Sequence, residues 1–85
     1  MEIGRKTIIL TDDENFNQAV NCWSVSFTNK GTAKVWIDDF NELSANESFV
    51  FPVVAENHYY SDGFKIRFDG TGTKKLIVSF IYPRP

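Results

Sequence analysis

The sequence predicts an all-β protein, namely a small antiparallel β-sandwich of the immunoglobulin-like kind with about six or seven strands. Several segments alternate apolar and polar residues, which is the period of a half-buried strand. Short clusters of Asn, Asp, Gly and Ser separate these segments, as expected of turns. The 85 residues include eight Phe, two Trp and three Tyr, which can fill a core between two sheets. A small barrel is the alternative architecture.

Length and composition predict a single domain over residues 1–85 and argue against several functions. The net charge of −2 does not favour nucleic-acid binding. The single cysteine, Cys22, cannot form an internal disulfide, so we expect it to be a small, partly buried strand residue. Residues 1–5 lack the apolar region of a signal peptide, and no apolar run approaches the ~20 residues of a membrane span. We therefore expect a cytoplasmically made protein without a nucleic-acid or membrane partner.

The first predicted strand covers residues 3–11. Its apolar run, residues 7–10, is continuous, so we expect part of it to be covered on both faces. The polar residues 11–15 predict a turn or loop. Asp12-Asp13-Glu14 within it lacks the glycine and the distal glutamate of a calcium loop, so no metal site is expected. Residues 16–20 form either a short helical turn or an irregular lead into the next strand.

Residues 23–37 are predicted to form a β-hairpin. The residues on either side of Asn29-Lys30-Gly31 alternate in polarity, and this trio suits a three-residue loop with Gly31 in the left-handed conformation. A two-residue loop would turn the apolar residues of the two strands to opposite faces, so side-chain parity rejects that register. The expected cross-strand pairs are Thr28–Thr32, Phe27–Ala33, Val25–Val35 and Trp23–Ile37.

Trp36 is expected to point away from the core in this hairpin, opposite Ser24. A large aromatic side chain on an outer face calls for a covering element, a partner subunit or a ligand. Trp36 is therefore the first candidate contact residue.

The segment after the hairpin is predicted to contain two turns. Asp38-Asp39 ends the strand, and residues 44–47 form the second turn. The two carboxylates do not suggest catalysis, because neighbours in a strand point to opposite faces. Phe40 and Leu43 are expected to plug one end of the sandwich.

Residues 48–54 form the next predicted strand. Pro52 cannot donate a ladder hydrogen bond, so this strand lies at a sheet edge or carries a bulge. The irregular stretch 55–63 contains His58-Tyr59-Tyr60. These side chains either make loop contacts with a partner or pack against the end of the sandwich. A lone histidine does not indicate a metal site.

Residues 64–82 are predicted to form a second hairpin. A Gly70-Thr71-Gly72 loop would pair Ile66 with Leu76 and Phe64 with Val78. The outer face then carries Lys65, Arg67, Lys75 and Ile77. This basic patch is either a solvated face or a surface for an acidic partner. Pro83-Arg84-Pro85 should stop the strand and project as a short tail.

The residues do not indicate an enzyme. Cys22 and His58 lie in segments that nothing brings together, no serine occupies a nucleophile elbow, and no acidic pair has a glycosidase setting. The glycines of the second hairpin do not form a phosphate-binding loop. We expect no catalytic residues, no metal and no cofactor.

Two segments resemble a small β-sandwich type that recurs in tailed phages, especially those infecting Bacteroidetes. They are Phe27 to Ile37, FTNKGTAKVWI, and Leu43 to Phe51, LSANESFVF. That type has a strand ending in Asn-x-Gly-Thr, a short returning strand, then Leu-x-x-Gly-Glu-Ser and another strand. It occurs in capsid decoration, head-fibre and tail proteins. Here Asn46 replaces the usual glycine, which a left-handed turn position tolerates.

The resemblance covers residues 23–53 and implies a structural role in a virion, after synthesis in the cytoplasm of a host bacterium. We expect a non-enzymatic structural or assembly protein that contacts other virion proteins or copies of itself. The alternative is a carbohydrate-binding module whose aromatic side chains, Trp36, Tyr59 and Tyr60, stack on sugar rings. The expected contact residues are Trp36, His58, Tyr59, Tyr60, Lys65, Arg67, Lys75 and Arg84.

Overall fold

The computed structural model describes residues 2–16, 22–51 and 63–84, and these residues form strands and turns but no helix. The strands are β1 (Glu2–Leu10), β2 (Glu14–Phe16), β3 (Ser24–Asn29), β4 (Val35–Ile37), β5 (Asn41–Leu43), β6 (Ser48–Phe51), β7 (Phe64–Phe68) and β8 (Leu76–Arg84). The predicted all-β class is confirmed. The described residues form eight strands, whereas six or seven were predicted.

The strands form two antiparallel four-stranded sheets, which confirms the predicted sandwich. Sheet A has the order β1-β8-β3-β6, and sheet B has the order β2-β7-β4-β5. Four ladders nest around the middle of the chain: β1 pairs with β8, β2 with β7, β3 with β6 and β4 with β5. Two further ladders, β3 with β8 and β4 with β7, join these pairs into the two sheets. This nesting of the first strand with the last is the jelly-roll order. It differs from the immunoglobulin-like order that the sequence suggested, in which sheets of four and three strands combine.

Both predicted hairpins are wrong, because each one joins strands that lie in different sheets. Val25 of β3 is opposite Phe51 and Phe80 and not opposite Val35. The second predicted hairpin fails in the same way, since β7 belongs to sheet B and β8 to sheet A. Among the described strands, β4 and β5 are the one pair of chain neighbours that also share a ladder.

Two of the segments that cross between sheets, the one between β3 and β4 and the one between β7 and β8, lie against each other and share backbone hydrogen bonds. The N–H groups of Lys30 and Gly31 donate to the carbonyl oxygen of Lys75 over 2.9 and 3.1 Å, and the N–H of Ala33 donates to that of Thr73 over 3.0 Å. Gly31 does not have the predicted left-handed conformation. A glycine is nevertheless required at position 31, because a Cβ there would collide with the carbonyl oxygen of Thr73.

The core lies between the sheets. The predicted inward directions are confirmed for Val25 and Phe27 of β3, for Val35 and Ile37 of β4, and for Phe64, Ile66 and Phe68 of β7. Phe27 of sheet A and Phe64 of sheet B meet edge to face with ring centroids 5.2 Å apart. The buried apolar residues are Leu10, Phe16, Cys22, Val25, Phe27, Ala33, Val35, Ile37, Leu43, Phe64, Ile66, Phe68, Leu76, Val78 and Phe80. Alternation therefore predicted which side of each strand faces the core, although it did not identify the neighbouring strand.

Asn29, at the end of β3, is a fully buried polar residue whose side chain is completely engaged. Its Nδ2 donates to the carbonyl oxygens of Ala33 and Leu43 over 2.8 and 3.0 Å, and its Oδ1 accepts the N–H of Gly31 over 3.0 Å. Burial of an amide is tolerated because these bonds replace those it makes with water. The segment between β3 and β4 is thereby fixed to the end of β5.

Other predictions from the sequence are corrected at the sheet edges. β1 is an edge strand, and Ile9 within the predicted doubly covered run is 54% exposed. β8 does not stop at Pro83, because Pro83 and Arg84 pair with Ile3 and Glu2. The segment predicted as a possible helical turn begins in β2, and its residues 17–20 lie outside the described part.

Two turn predictions are confirmed, and one packing prediction is wrong. Asp38-Asp39 and residues 45–46 form turns, and Asn46 has the left-handed conformation expected from the resemblance, with φ of 68°. Leu43 is buried, but Phe40 is 90% exposed and does not plug the sandwich. The predicted edge position of the strand that begins at Ser48 is confirmed, since β6 ends sheet A.

Candidate interaction surface

The outer face of sheet B carries the indole that the sequence singled out. Trp36 lies between the buried Val35 and Ile37 on β4, so its side chain points outward and is half-buried. Its Cα partners are Glu42 on β5 and Arg67 on β7. The outward direction was predicted correctly. The predicted neighbour, Ser24, is wrong, because Ser24 belongs to sheet A.

Ion pairs surround Trp36 on this face. Arg67 Nη2 lies 2.8 Å from Asp39 Oδ1, and Lys65 Nζ lies 3.1 Å from Asp39 Oδ2. On the other side, Lys34 Nζ lies 3.1 Å from Glu42 Oε1. The predicted basic patch is therefore a mixed-charge surface. Pairs this exposed add little stability, but they hold the long side chains in a defined arrangement.

The ion pairs alter the protonation of two groups. The hydrogen bond from Lys65 lowers the pKa of Asp39 below its ordinary value and outweighs the opposing effect of desolvation. The charge of Arg67 lowers the pKa further by a smaller amount. The hydrogen bond with Glu42 raises the pKa of Lys34 above 10.5. Both groups are charged at neutral pH, so this face presents both signs of charge to any partner.

The turn between β4 and β5 presents Phe40 beside this face. Asp38 and Asp39 both have positive φ, 57° and 64°, as in a type I′ turn, and the N–H of Phe40 donates to the carbonyl oxygen of Ile37 over 3.4 Å. Asp38 anchors the turn to β7: its Oδ1 accepts the N–H of Lys65 over 2.9 Å, and its own N–H donates to the Lys65 carbonyl over 2.8 Å. An anchored turn thus holds an almost fully exposed phenyl ring.

We refer to Lys34, Trp36, Asp39, Phe40, Glu42, Lys65 and Arg67 as the Trp36 surface. Three of the predicted contact residues, Trp36, Lys65 and Arg67, belong to it. Sequence reasoning missed the other four, most importantly Phe40, which it assigned to the core. The Asp38-Asp39 pair was a usable signal, because two residues that tolerate positive φ favour a tight turn with an exposed flank.

The remaining predicted contact residues do not join this surface. Lys75 is exposed in the segment between β7 and β8, where its carbonyl oxygen accepts hydrogen bonds from Lys30 and Gly31. Ile77, assigned to the same predicted face, lies on sheet A instead. Arg84 lies in β8, opposite Glu2. His58, Tyr59 and Tyr60 lie outside the described residues.

The described residues offer little to small-molecule or metal chemistry near the Trp36 surface. A groove of about 250 Å³ runs between β2 and β7, lined by Asp13, Asn15, Lys65 and neighbouring residues. Within ranges 2–16, 22–51 and 63–84 no group of three or more His, Cys, Asp or Glu residues could hold a metal ion. Burial raises the pKa of the Cys22 thiol, which disfavours the nucleophilic thiolate.

Comparisons with known proteins add no relative. A scan against protein-family models finds no match to the chain, and a search of curated proteins finds no significant match. The described part of the chain contains no helix of the length and apolarity needed to cross a membrane.

Proposed function

We propose that this protein is a non-enzymatic structural or assembly subunit of a tailed-phage virion, a capsid decoration or head or tail accessory protein, that docks on neighbouring proteins through the Trp36 surface. The docking role rests on the exposure of Phe40. This apolar side chain is 90% exposed on a turn that Asp38 anchors to β7. Aromatic side chains beside Arg are the residues that most often dominate binding energy at protein interfaces.

The fold supports the virion assignment by analogy. Eight-stranded jelly rolls recur in viral capsid proteins and also in lectins. A fold alone does not define a function. The jelly-roll order therefore favours the two candidate functions that the sequence raised, and the resemblance to phage proteins favours the virion.

The resembling segments also meet in space. The N–H of Asn29, from the Asn-x-Gly-Thr segment, donates to the carbonyl of Glu47 over 2.9 Å, and its own carbonyl accepts the N–H of Asn46 over 2.7 Å. Glu47 Oε1 accepts the N–H of Ser44 over 2.6 Å. Two motifs that are separate in the sequence thus form one hydrogen-bonded corner, which supports a shared architecture as the basis of the resemblance.

Reconstitution on virus particles tests the proposal. Particles from a phage genome that lacks this gene are mixed with purified protein, and bound protein is measured after sedimentation of the particles. We expect saturable binding of the wild type and at least about tenfold weaker binding of Phe40→Ser, because truncation of an interface anchor costs on the order of 2 kcal/mol.

Lys75→Ser is the control, since Lys75 is exposed but outside the Trp36 surface, and its binding should equal that of the wild type. The virion role is wrong if mass spectrometry detects no copy of the chain in wild-type particles. The docking role of the Trp36 surface is wrong if Phe40→Ser binds as tightly as the wild type.

A carbohydrate-binding module is the second candidate, favoured by the half-buried Trp36 on an open face and by the use of jelly rolls in lectins. Stacking of a sugar on the indole would change its emission. Titration of Trp fluorescence with a panel of glycans should leave the emission unchanged if the protein is an assembly subunit. A saturable change that is lost in Trp36→Ala would favour the carbohydrate function instead.

A further inference from the structure

The centre of the outer face of sheet A is a concave groove of about 590 Å³. This volume lies within the range of roughly 300–1,000 Å³ that is usual for small-molecule sites. Two neighbouring cross-strand rows of side chains line the groove, because the ladders bring opposite residues of the four strands together. One row is Thr7, Ser79, Ser26 and Val50, and the next is Arg5, Ile81 and Ser24. The order of the strands therefore creates the groove, and no single segment contains it.

The floor of the groove consists of four hydroxyl groups whose hydrogen bonds leave mainly acceptor positions free. Ser24 Oγ donates to the carbonyl oxygen of Phe51 over 2.7 Å, and Ser26 Oγ donates to that of Ser79 over 3.4 Å. Thr7 Oγ1 and Ser79 Oγ lie 3.1 Å apart and share one hydrogen bond. Each hydroxyl oxygen has two acceptor lone pairs, but three of the four protons are already engaged. The floor can therefore accept hydrogen bonds more readily than it can donate them.

Positive charge lies on the β1 side of the hydroxyl floor. Arg5 and Lys6 line the groove, and neither forms an ion pair with a described residue. The described residues that point outward from sheet A include no Asp or Glu. On the Trp36 surface, in contrast, Lys65 and Arg67 share the carboxylate of Asp39. An exposed guanidinium without an acidic neighbour suits a carboxylate ligand, which it can bind through two parallel hydrogen bonds.

We propose that this groove binds an acidic saccharide, a sugar chain that carries carboxylates. A carboxylate pairs with Arg5, and the sugar hydroxyls donate hydrogen bonds to the floor, whose free acceptor positions they match. Val50 and Ile81 supply apolar contacts for the C–H groups of the sugar rings. A neutral sugar leaves Arg5 without a counter-charge, and an inorganic anion such as sulfate has no proton to donate to the floor. A ligand that combines both groups uses the whole groove.

This groove is separate from the two sites considered above. The second candidate function places a sugar against Trp36, which lies on the outer face of the other sheet. The proposed docking role uses that same face through Phe40, so a subunit docked there leaves the groove accessible. Saccharide binding and docking can therefore fail separately, because the docking test changes only Phe40 and leaves every residue of the groove in place.

Chemical-shift mapping by NMR of the full, isotope-labelled chain tests the proposal. Titration with trigalacturonate to about 10 mM should give saturable shifts of backbone amide signals from groove residues, including Thr7, Ser26 and Ser79, while the signal of Trp36 stays in place. Maltotriose, a neutral chain of the same length, and sodium sulfate separate the two halves of the ligand chemistry. Each should bind at least about tenfold more weakly than trigalacturonate.

Three variants locate the binding site. Arg5→Gln removes the charge and should weaken trigalacturonate binding at least about tenfold, because the charge-assisted hydrogen bonds are lost. Ser26→Val replaces a floor hydroxyl with methyl groups and should weaken binding at least about threefold. Lys30→Gln is the matched control, since it removes one positive charge at an exposed position outside the groove and should leave binding unchanged. Thermal unfolding verifies that each variant is folded.

The inference is overturned if trigalacturonate shifts no groove signal, or if Arg5→Gln or Ser26→Val binds it as tightly as the wild type does. Equal weakening by Arg5→Gln and Lys30→Gln would indicate attraction by net charge and overturns it as well. Sulfate that binds as tightly as trigalacturonate would indicate a general anion site, and maltotriose that does so would indicate a neutral sugar site. Either result overturns the assignment to an acidic saccharide.

Discussion

Asp39 combines a backbone role with an electrostatic one. Its φ of 64° places it in the left-handed region, which Asp and Asn adopt more readily than other residues with a side chain. Its two carboxylate oxygens bind Arg67 and Lys65 of β7. The same residue therefore shapes the β4–β5 turn and fixes the charged side chains of the Trp36 surface.

At the scale of this residue, stability should depend on pH. The hydrogen bond from Lys65 lowers the pKa of Asp39 in the folded state, so the folded protein binds the proton more weakly than the unfolded chain does. The resulting stability is complete above the unfolded pKa of about 3.9 and is lost as the pH falls through the folded pKa. Asp39→Asn keeps the turn preference and removes the charge. Its Tm should be slightly below that of the wild type at pH 7, and the difference should shrink as the pH falls below about 3.9.

Salt provides the control for this effect. Because the pairs are exposed, about 1 M NaCl should reduce the difference in Tm at pH 7. If the difference in Tm between the variant and the wild type stays constant as the pH falls below about 3.9, the Asp39→Asn substitution acts through the turn and not through lost ion pairs.

At the scale of the element, two of the segments that cross between sheets depend on each other. In a hairpin, the loop connects two neighbouring strands of the same sheet and needs no contact with another loop. Here the β3–β4 segment is hydrogen-bonded to the β7–β8 segment, and Thr32 Oγ1 accepts the N–H of Thr73 over 2.7 Å. One glycine of each segment is explained by this contact: Gly31 approaches the Thr73 backbone, and Gly72, with φ of 91°, lies against Thr32.

Alanine substitution of two glycines tests this arrangement at the scale of the element. Gly31→Ala should lower the free energy of unfolding by at least about 2 kcal/mol, because the added Cβ meets the Thr73 backbone, which cannot move without breaking the hydrogen bonds between the two segments. Gly70→Ala is the control: nothing lies within 4 Å of its Cβ and its φ is ordinary, so the effect should stay within about 1 kcal/mol. Denaturant unfolding measures both. Equal costs for the two variants would contradict the close approach at Gly31.

At the scale of the whole molecule, the jelly roll joins the two ends of the described chain. β1 pairs with β8 along nine residues, from Glu2–Arg84 to Leu10–Leu76. Contacts between residues so far apart in sequence close long loops, which slows folding. The same nesting places the outer faces of the two sheets on opposite sides of the sandwich.

Engineered disulfides distinguish this topology from the predicted hairpin. In a Cys22→Ala background, Thr7→Cys with Ser79→Cys places two thiols on directly opposite residues of β1 and β8. The pair should oxidise, as a mass loss of about 2 Da would show, and raise the free energy of unfolding by about 2–4 kcal/mol. Ser24→Cys with Trp36→Cys, opposite residues in the predicted hairpin, should stay reduced, because the two positions are on outer faces of different sheets. Oxidation of the second pair within a monomer would contradict the jelly roll.

The candidate surface could be predicted only in part. The alternation around Trp36, Lys65 and Arg67 predicted that these side chains point outward, and the structure places all three on one face. The pairing of Lys65 and Arg67 with Asp39 could not be predicted, because it depends on β4 and β7 being neighbours. Phe40 was assigned to the core on hydrophobicity alone, whereas a type I′ turn leaves its ring outside.

The sequence by itself determined the all-β class, the inward face of each alternating segment and the turns at Asp38-Asp39 and Asn46, because side-chain parity and positive φ are local properties. Only the tertiary structure decided which strands are neighbours. Val25 has the same inward direction whether it pairs with Val35 in a hairpin or with Phe51 and Phe80 in a jelly roll. Backbone hydrogen bonds between strands are nearly independent of sequence, so the choice rests on how the two sheets fill one core.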